Sequence, residues 1–294
     1  MKRISNILFI LILSSSCAFL SKEKKEFDSL QKVTILQAKI FNGKIKKLNL
    51  IYPFQTIAAK LFCADREMAL GALKNGLRQV FVSSDRHIET GDVICEYRFK
   101  VDEVDKSLVV AKLKIENSKY PLRKVRVPKK YAKLSDKAIA RWKRETKTLD
   151  EVYKNAIVDR KLFQSKFKKP LASKITAIYG SKRVFNDMKH SWHSGIDFRA
   201  RKKTKIPASN RGKVVLARHH FFTGKTIIID HGLGIMTMYC HLSSLKVSEG
   251  DIVPLGEIIG ISGNTGRSSA PHLHWGVRVN GNWVDGFSLL KEGI

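Results

Sequence analysis

Hydrophobic and polar residues divide the chain into two β-rich regions separated by a segment with helical spacing. Between residues 33 and 127, runs such as 93–99 and 108–115 partly alternate apolar and polar side chains. Gly, Asp, Asn and Ser, which favour turns, separate these runs. Alternation is typical of strands with one buried face, so the pattern predicts a small β-sandwich-like domain over residues 33–127.

A helical connector is predicted over residues 128–164. Ser135 suits the position that caps a helix N-terminus, and apolar side chains then recur near helical spacing. They include Ile139, Trp142, Leu149, Val152 and Tyr153. We expect an amphipathic helix that packs on its own domain, and a helix that binds a partner is the alternative.

The second β-rich region, residues 165–294, consists of short apolar runs interrupted by Gly. The clearest runs are 214–217, 226–230, 235–239 and 258–261. Their length and spacing predict a second domain built from strands, so the whole chain is expected to be mainly β.

The N-terminus has the pattern of a signal peptide over residues 1–17. A basic start is followed by the apolar run 7–13 and by Ser14-Ser15-Ser16-Cys17. This run is too short to span a membrane permanently. The segment before Cys17 resembles a loose bacterial lipobox, which favours cleavage before Cys17 and its acylation; cleavage after Ala18 is the alternative. Residues 18–32 would then be a tether, and the protein is expected to be exported to the cell envelope, in the periplasm.

The remaining cysteines are Cys63, Cys95 and Cys240. Disulfides are permitted in an exported protein, and Cys63 and Cys95 lie in the same predicted domain, so this pair is the favoured disulfide. Cys240 lies in an apolar run beside His241 and is expected to be a buried thiol. No CxxC pair is present, which argues against a cysteine zinc site.

The formal net charge of +29 arises from 55 Lys and Arg against 26 Asp and Glu. Such an excess indicates an anionic partner or surface. The anionic cell envelope suits an exported chain better than nucleic acid, for which the sequence has no known binding motif. The charge is spread along the chain, so a generally lysine-rich composition explains it equally well.

Candidate metal ligands begin with His193 and Asp197, in the order HxxxD. Neutral imidazole and carboxylate both bind zinc, although such a pair also occurs by chance. His272-Leu273-His274 follows a proline-limited turn, and residues two apart in a strand point to the same side. With His241 at the end of another apolar run, the chain has enough groups for three zinc ligands, an open water position and a base.

Residues 165–290 resemble the catalytic domain of lysostaphin-type, or LytM-like, zinc metallopeptidases, which cut peptidoglycan peptides. HxxxD, Tyr-x-His-Leu and HxH occur in the family's order. The flanking segments 180–183, 229–234, 247–251 and 262–266 also match. The resemblance implies an antiparallel β catalytic domain over residues 165–294. The first domain and helix resemble the N-terminal part of periplasmic members.

The same resemblance implies the role of each site residue. It makes His193, Asp197 and His274 the ligands of one Zn²⁺ ion, with His241 and His272 as the unliganded catalytic pair. Zinc lowers the pKa of a bound water from about 15.7 to about 7, so one neutral imidazole suffices as base. His272 is assigned as that base and His241 as the residue that holds the water or the oxyanion; the two roles could be exchanged or shared.

The other histidines are not expected to belong to the site. His190 is an alternative ligand, but the resemblance places the ligand immediately before Ser194-Gly195. His231 is expected to be structural. His219 and His220 are expected in a solvated loop, with the rim of a groove as the alternative.

The sequence departs from the family at two points. Cys240 stands at a position where the family usually has a small residue such as Ala. We expect its side chain to face away from the site because it alternates with His241 in the strand. The turn Arg201-Lys202-Lys203-Thr204 lacks the usual Gly before Thr204.

The resemblance therefore implies an exported zinc metalloendopeptidase that hydrolyses peptide bonds in peptidoglycan stems or cross-links. Peptidoglycan would be its substrate, and the anionic envelope its surroundings. A non-catalytic LytM-like regulator that binds the wall or another hydrolase is the alternative. Regulators of that kind usually lack ligands, and all five candidate site residues are present here.

Overall fold

The computed structural model describes residues 22–28, 30, 33–87, 90–125, 135–185 and 189–293. The predicted signal peptide with Cys17, much of the predicted tether and the first part of the predicted connector lie outside these residues. Among the helices in the described ranges, none is both long and apolar enough to cross a membrane.

The N-terminal part contains two sheets around one buried cluster. In the described residues a five-stranded sheet has the order β1-β8-β7-β3-β4, and a three-stranded antiparallel sheet has the order β2-β6-β5. A short helix, α1, covers residues 22–28. The strands are β1 (Leu36–Phe41), β2 (Ile45–Ile51), β3 (Lys60–Cys63), β4 (Arg66–Met68), β5 (Leu70–Lys74), β6 (Leu77–Ser83), β7 (Gly91–Val101), β8 (Val104–Glu116) and β9 (Leu122–Val125).

Both sheets contribute to the same core, as a sandwich requires. Leu48, Leu50 and Val80 from the smaller sheet pack in one cluster with Leu61 and Tyr97 from the larger sheet. These five side chains are at most 4% exposed. Burial of alternate residues explains the period of two in the sequence.

The favoured disulfide is present in this part of the structure. Cys63 of β3 lies directly opposite Cys95 of β7, and the two sulfur atoms are bonded. The bridge therefore joins neighbouring strands of the five-stranded sheet.

The helical connector contains α2 (Asp136–Lys154), and Ser135 accepts a hydrogen bond from the Ala138 amide at its start. Leu149, Val152 and Tyr153 pack against a buried cluster on the C-terminal sheet. The helix thus packs on its own chain, against the C-terminal sheet.

The C-terminal part is a ten-stranded antiparallel sheet in the described residues. Its central order is β10-β13-β20-β17-β16-β15-β18, with β14, β19 and β21 paired beside it. The elements are β10 (Ile175–Ala177), β11 (Lys182–Phe185), β12 (Lys189–Trp192), β13 (Gly195–Arg199), β14 (Lys205–Pro207), β15 (Gly212–His220), β16 (Gly224–Asp230), β17 (Ile235–Leu245), β18 (Ile252–Val253), β19 (Ile258–Ser262), β20 (His272–Val279), β21 (Asn282–Val284) and α3 (Gly286–Lys291). The mainly β fold and the antiparallel C-terminal domain are confirmed.

Each face of this sheet packs against a different apolar cluster. Ile227 and Ile229 of β16 belong to the larger cluster, whereas Ile228 belongs to the cluster that α2 covers. The central strands are therefore apolar at consecutive positions, because both of their faces are buried.

The predicted domain boundaries stay a prediction, and several contacts cross them. β9 pairs in parallel with β11, and β11 pairs with β12, so one small sheet contains strands from both predicted domains. Phe163, placed by the sequence in the connector, is buried in the core of the C-terminal sheet.

Candidate active site

Two paired strands place the predicted metal ligands. Asp197 of β13 lies directly opposite His274 of β20, so their side chains extend from the same face of the sheet. Ile196, Phe198 and Leu273 point to the other face and are fully buried. This apolar anchoring determines the register, and the register determines which polar side chains meet.

Three side-chain atoms of the predicted ligands converge. Asp197 Oδ1 lies 2.9 Å from His193 Nε2 and 2.9 Å from His274 Nδ1. The two imidazole nitrogens are 3.0 Å apart. His193 Nδ1 lies 2.8 Å from the Ile178 carbonyl oxygen, and a hydrogen bond there directs Nε2 towards the other two atoms.

This donor set fits zinc. Two imidazoles and one carboxylate are ligands that catalytic zinc sites use, at about 2.0–2.2 Å from the ion. Donor atoms at such distances in a tetrahedral arrangement lie about 3.4 Å apart. The observed separations of 2.9–3.0 Å are within half an ångström of that spacing. His193, Asp197 and His274 form a cluster that could hold a metal ion.

The carboxylate at the centre of this cluster is held in its charged form. Burial raises the pKa of Asp197, but its close contacts with the His193 and His274 imidazoles outweigh that effect and lower the pKa well below its usual range. The Asp197 carboxylate is therefore ionised at any pH at which the imidazoles could bind metal.

His241 and His272 lie beside the cluster, with their ring centroids 4.7 Å apart. His272 Nε2 is 3.7 Å from Asp197 Oδ1. His272 Nδ1 lies 2.8 Å from the Ala270 carbonyl and 3.1 Å from Ser268 Oγ. The imidazoles of His272 and His274 thus both point towards Asp197 Oδ1, as the period of two in a strand predicts.

The backbone of β17 departs from strand geometry at His241. Its φ of 62° lies in the left-handed region, which residues other than Gly rarely adopt. The His241 amide donates to the Thr223 carbonyl at 2.8 Å, and Nδ1 lies 2.8 Å from the Thr265 carbonyl. Burial, followed by the nearby His272 and His274, lowers the pKa of His241 to about 3, so its imidazole is neutral near pH 7.

The other histidines have different roles in the fold. His231 is fully buried, with Nδ1 2.9 Å from the Arg211 carbonyl and Nε2 2.8 Å from Thr237 Oγ1, which confirms its structural interpretation. The solvated-loop prediction is wrong for His220, which is buried at the end of β15, while His219 is exposed. His190 lies in β12, and its side chain is outside the described residues.

Cys240 is buried, as expected, but its side chain does not face away from the site. It lies directly opposite His274, and it packs in the cluster on the same face of the sheet. Cys240 and His241 do not alternate as strand neighbours because the left-handed backbone of His241 interrupts the strand. Burial raises the pKa of the Cys240 thiol to about 12, so it stays protonated.

Lys203 occupies the turn position at which the family usually has Gly. Its φ is 70°, so a lysine adopts the left-handed conformation there. Thr204 still closes the turn, since its amide and hydroxyl both donate to the Arg201 carbonyl. The missing Gly therefore leaves the turn in place.

The groups that hold His241 and His272 were not predicted from the sequence. The carbonyls of Thr223, Thr265 and Ala270 contact His241 or His272, and Glu145 supports the turn that contains Thr223. Backbone carbonyls carry no signal in the residue types. The matching segment 262–266 was the one indication that Thr265 belongs to the site.

Comparisons with known proteins identify the same region. Residues 191–286 match peptidase family M23. The peptidoglycan DD-endopeptidase ShyA of Vibrio cholerae is 43% identical over 93 residues, which are 32% of this chain and 22% of ShyA. The DD-carboxypeptidase/endopeptidase Mpg of Neisseria meningitidis is 39% identical over 102 residues, which are 34% of this chain and 24% of Mpg. The match thus spans less than a quarter of either relative.

A solved structure described as an M23 peptidase from Pseudomonas aeruginosa shares the fold over most of both chains. It has a TM-score of 0.66 at 23% identity, and the alignment covers 86% of this chain and 95% of that chain. At this identity the similarity concerns the fold alone. It includes the N-terminal part as well as the C-terminal sheet, since it extends far beyond residues 191–286.

Proposed function

We propose, on the premise that residues 191–286 form a domain of peptidase family M23, that the protein is a zinc metalloendopeptidase which hydrolyses peptide bonds of peptidoglycan stems or cross-links. One observation carries the proposal: His193, Asp197 and His274 converge beside the pair His241 and His272. The relatives named as peptidoglycan endopeptidases support the choice of substrate.

His193, Asp197 and His274 would hold the metal through Nε2, Oδ1 and Nδ1. When bound, zinc supplies a water of lowered pKa and polarises the scissile carbonyl. The ionised Asp197 offsets part of the positive charge of the ion.

The two remaining histidines would move the proton. When Nδ1 donates to a backbone carbonyl, a neutral imidazole keeps an unprotonated Nε2 that accepts a proton. Burial makes the charged form of His241 costly, whereas the His272 side chain is 18% exposed. We therefore assign His272 as the general base, which later returns the proton to the leaving amine, and His241 as the group that orients the attacking water.

The experiment compares the full-length protein with His193→Ala and with the control His219→Ala. His219 is exposed and lies outside the cluster. Bound zinc is measured by mass spectrometry, and fragments released from isolated peptidoglycan are separated by chromatography. We expect one zinc ion and cleavage in the wild type and in the control, and neither in His193→Ala.

Two results would contradict the proposal. A zinc-free wild type that still cuts, or equal cleavage by His193→Ala, would rule out the assigned metal site. Binding to the wall without cleavage at any zinc concentration would instead identify a LytM-like regulator.

The proposal includes export to the cell envelope and a lipid anchor at Cys17. The signal-peptide pattern of residues 1–17 and the wall substrate of the relatives support it. We expect the mature protein to incorporate radiolabelled palmitate and Cys17→Ser to lose the label. A mature N-terminus after Ala18, found by N-terminal sequencing, would contradict the anchor.

A further inference from the structure

One turn of α2 holds the connection between β15 and β16. Glu145 Oε2 accepts a hydrogen bond of 2.7 Å from the Phe221 amide, and Glu145 Oε1 accepts one of 2.7 Å from Arg141 Nε. Arg141 also donates to the His219 carbonyl at 3.1 Å. The ring of Trp142 contacts that of Phe222 edge-on, with centroids 6.1 Å apart. The helix therefore contacts the end of β15 and two residues of the connection, Phe221 and Phe222.

The connection in turn holds the segment around Thr265. The Phe222 carbonyl accepts a bond of 2.8 Å from the Arg267 amide. Gly224 lies so close to this segment that a Cβ there would be 2.3 Å from Thr265 Oγ1. Thr265 Oγ1 also accepts from the Lys225 amide at 2.9 Å. The segment around Thr265 is consequently fixed to the connection through the Phe222 carbonyl and to the start of β16 through Thr265 Oγ1.

Both groups that fix His241 belong to these two segments. Its amide donates to Thr223 in the connection, and its Nδ1 contacts Thr265. The left-handed backbone of His241 is strained and persists when the surroundings over-determine it. A displacement of the connection would relax both contacts at once.

Glu145 is suited to this support. Its side chain is only 17% exposed, and each carboxylate oxygen has a defined donor. The C-terminal part of α2 packs on the sheet through Leu149, Val152 and Tyr153. The turn around Glu145 reaches the connection through a charged group in addition to the Trp142 ring. Hydrogen bonds to charged groups are shorter and stronger than those between neutral groups.

We propose that Glu145 is a positioning residue for His241, so that α2 is part of the catalytic machinery rather than only a connector. The proposal rests on the proposed function. Glu145 holds the amide of Phe221, and thereby the connection whose Thr223 carbonyl accepts from the His241 amide. The connection also holds the segment of Thr265, whose carbonyl contacts His241 Nδ1. Its loss would lower turnover without removing a metal ligand.

The experiment uses the full chain and three variants. Glu145→Ala removes both acceptor oxygens. Glu145→Gln keeps one acceptor for the Phe221 amide and is nearly isosteric, so it serves if the alanine variant does not fold. Glu151→Ala is the matched control, because Glu151 is exposed on the same helix. kcat and KM on peptidoglycan fragments, bound zinc and thermal unfolding are measured for each.

A second readout does not depend on activity. The ring nitrogens of ¹⁵N-labelled histidine report the tautomer of His241, assigned with His241→Gln, in zinc-free protein. We expect the wild type to carry the proton on Nδ1. Glu145→Ala should lower kcat about tenfold, with KM and zinc unchanged, and should mix the tautomers. Glu145→Gln should lie between, and Glu151→Ala should match the wild type.

Unchanged kcat and unchanged His241 resonances in Glu145→Ala would overturn the inference. A lower kcat with unchanged His241 resonances would also overturn it, since the effect would then come from another part of the fold. If the wild type cuts no peptidoglycan, the proposed function fails, while the His241 resonances still test the contact with Glu145.

Discussion

Gly195 of β13 lies directly against the imidazole of His274. A Cβ at this position would be 2.5 Å from the Trp275 carbonyl and 2.8 Å from His274 Nε2. Both distances are shorter than real Cβ contacts, and the carbonyl belongs to the paired strand, so neither neighbour yields without moving β20. The site therefore needs glycine here for space.

Gly195→Ala is expected to displace His274. We expect zinc affinity to fall at least about tenfold and the free energy of unfolding to fall by about 1–3 kcal/mol. Zinc titration and denaturant unfolding measure the two effects. Gly91→Ala is the control, because a Cβ there has open space within 4 Å. Wild-type zinc affinity in Gly195→Ala would show that the strands adjust without moving the ligand.

The two histidines of HxH should differ when each is replaced. His274→Ala removes a predicted ligand, so both zinc and cleavage should be lost. His272→Ala leaves the cluster of three intact and should keep zinc, while kcat falls by about 10²–10⁴-fold because the proton acceptor is lost. Bound zinc and kcat are measured for each variant. Loss of zinc in His272→Ala would exchange the two assignments.

At the scale of elements, His231 ties the end of β16 to its neighbours. Its ring contacts the Arg211 carbonyl and Thr237 Oγ1, and the ring of Phe167 lies against it with centroids 4.8 Å apart. Burial lowers the pKa of His231 from 6.5 to about 4. The neutral imidazole is thus the form that fits the folded protein.

This lowered pKa predicts a pH dependence of stability. Between pH 6.5 and about 4 the unfolded chain binds a proton at His231 that the folded protein does not. The contribution of neutral His231 is therefore complete above pH 6.5 and is lost as the pH falls towards 4, by up to about 3 kcal/mol. The free energy of unfolding is measured with denaturant at several pH values. Between pH 6.5 and about 4 it should fall less steeply with decreasing pH in His231→Gln than in the exposed-site control His219→Gln. Equal slopes would contradict the prediction.

The elements themselves were largely predictable, and one pairing was not. The period of two in the N-terminal region and the helical spacing after Ser135 predict the sandwich and α2. The parallel pairing of β9 with β11 joins segments about 60 residues apart, with α2 between them. No local pattern encodes which distant strand edge a short strand meets.

At the scale of the whole molecule, the two predicted domains are in direct contact. Asn280 Nδ2 donates to the Phe81 carbonyl at 2.7 Å, and Ser83 Oγ donates to the Val279 carbonyl at 2.7 Å. Phe81 belongs to the core of the C-terminal sheet. Tyr120 packs edge-on against Trp192, the residue before His193. The N-terminal part thereby contacts the segment that leads to the cluster of His193, Asp197 and His274.

The formal charge of +29 predicts a dependence on salt. Raising the salt from about 0.1 M to about 1 M shortens the Debye length from about 10 Å to about 3 Å. If the protein is attracted to an anionic wall, KM for isolated peptidoglycan should rise several-fold over this range, while kcat/KM for a small uncharged peptide substrate stays constant. Kinetics at a series of salt concentrations test this. An unchanged KM for peptidoglycan would mean that the charge has no part in substrate capture.

The sequence by itself determined which side chains share a face. A period of two is a local property of the extended backbone, so His272 and His274 had to point the same way, and Asp197 had to point away from the face of Ile196 and Phe198. The resemblance then named the ligands. The tertiary structure decided what fixes the catalytic pair: the left-handed backbone of His241, the carbonyls of Thr223 and Thr265, and the support from Glu145. It also placed Cys240 on the face of the site. These features depend on contacts between residues far apart in the chain, and backbone groups that make such contacts are the same in every residue type.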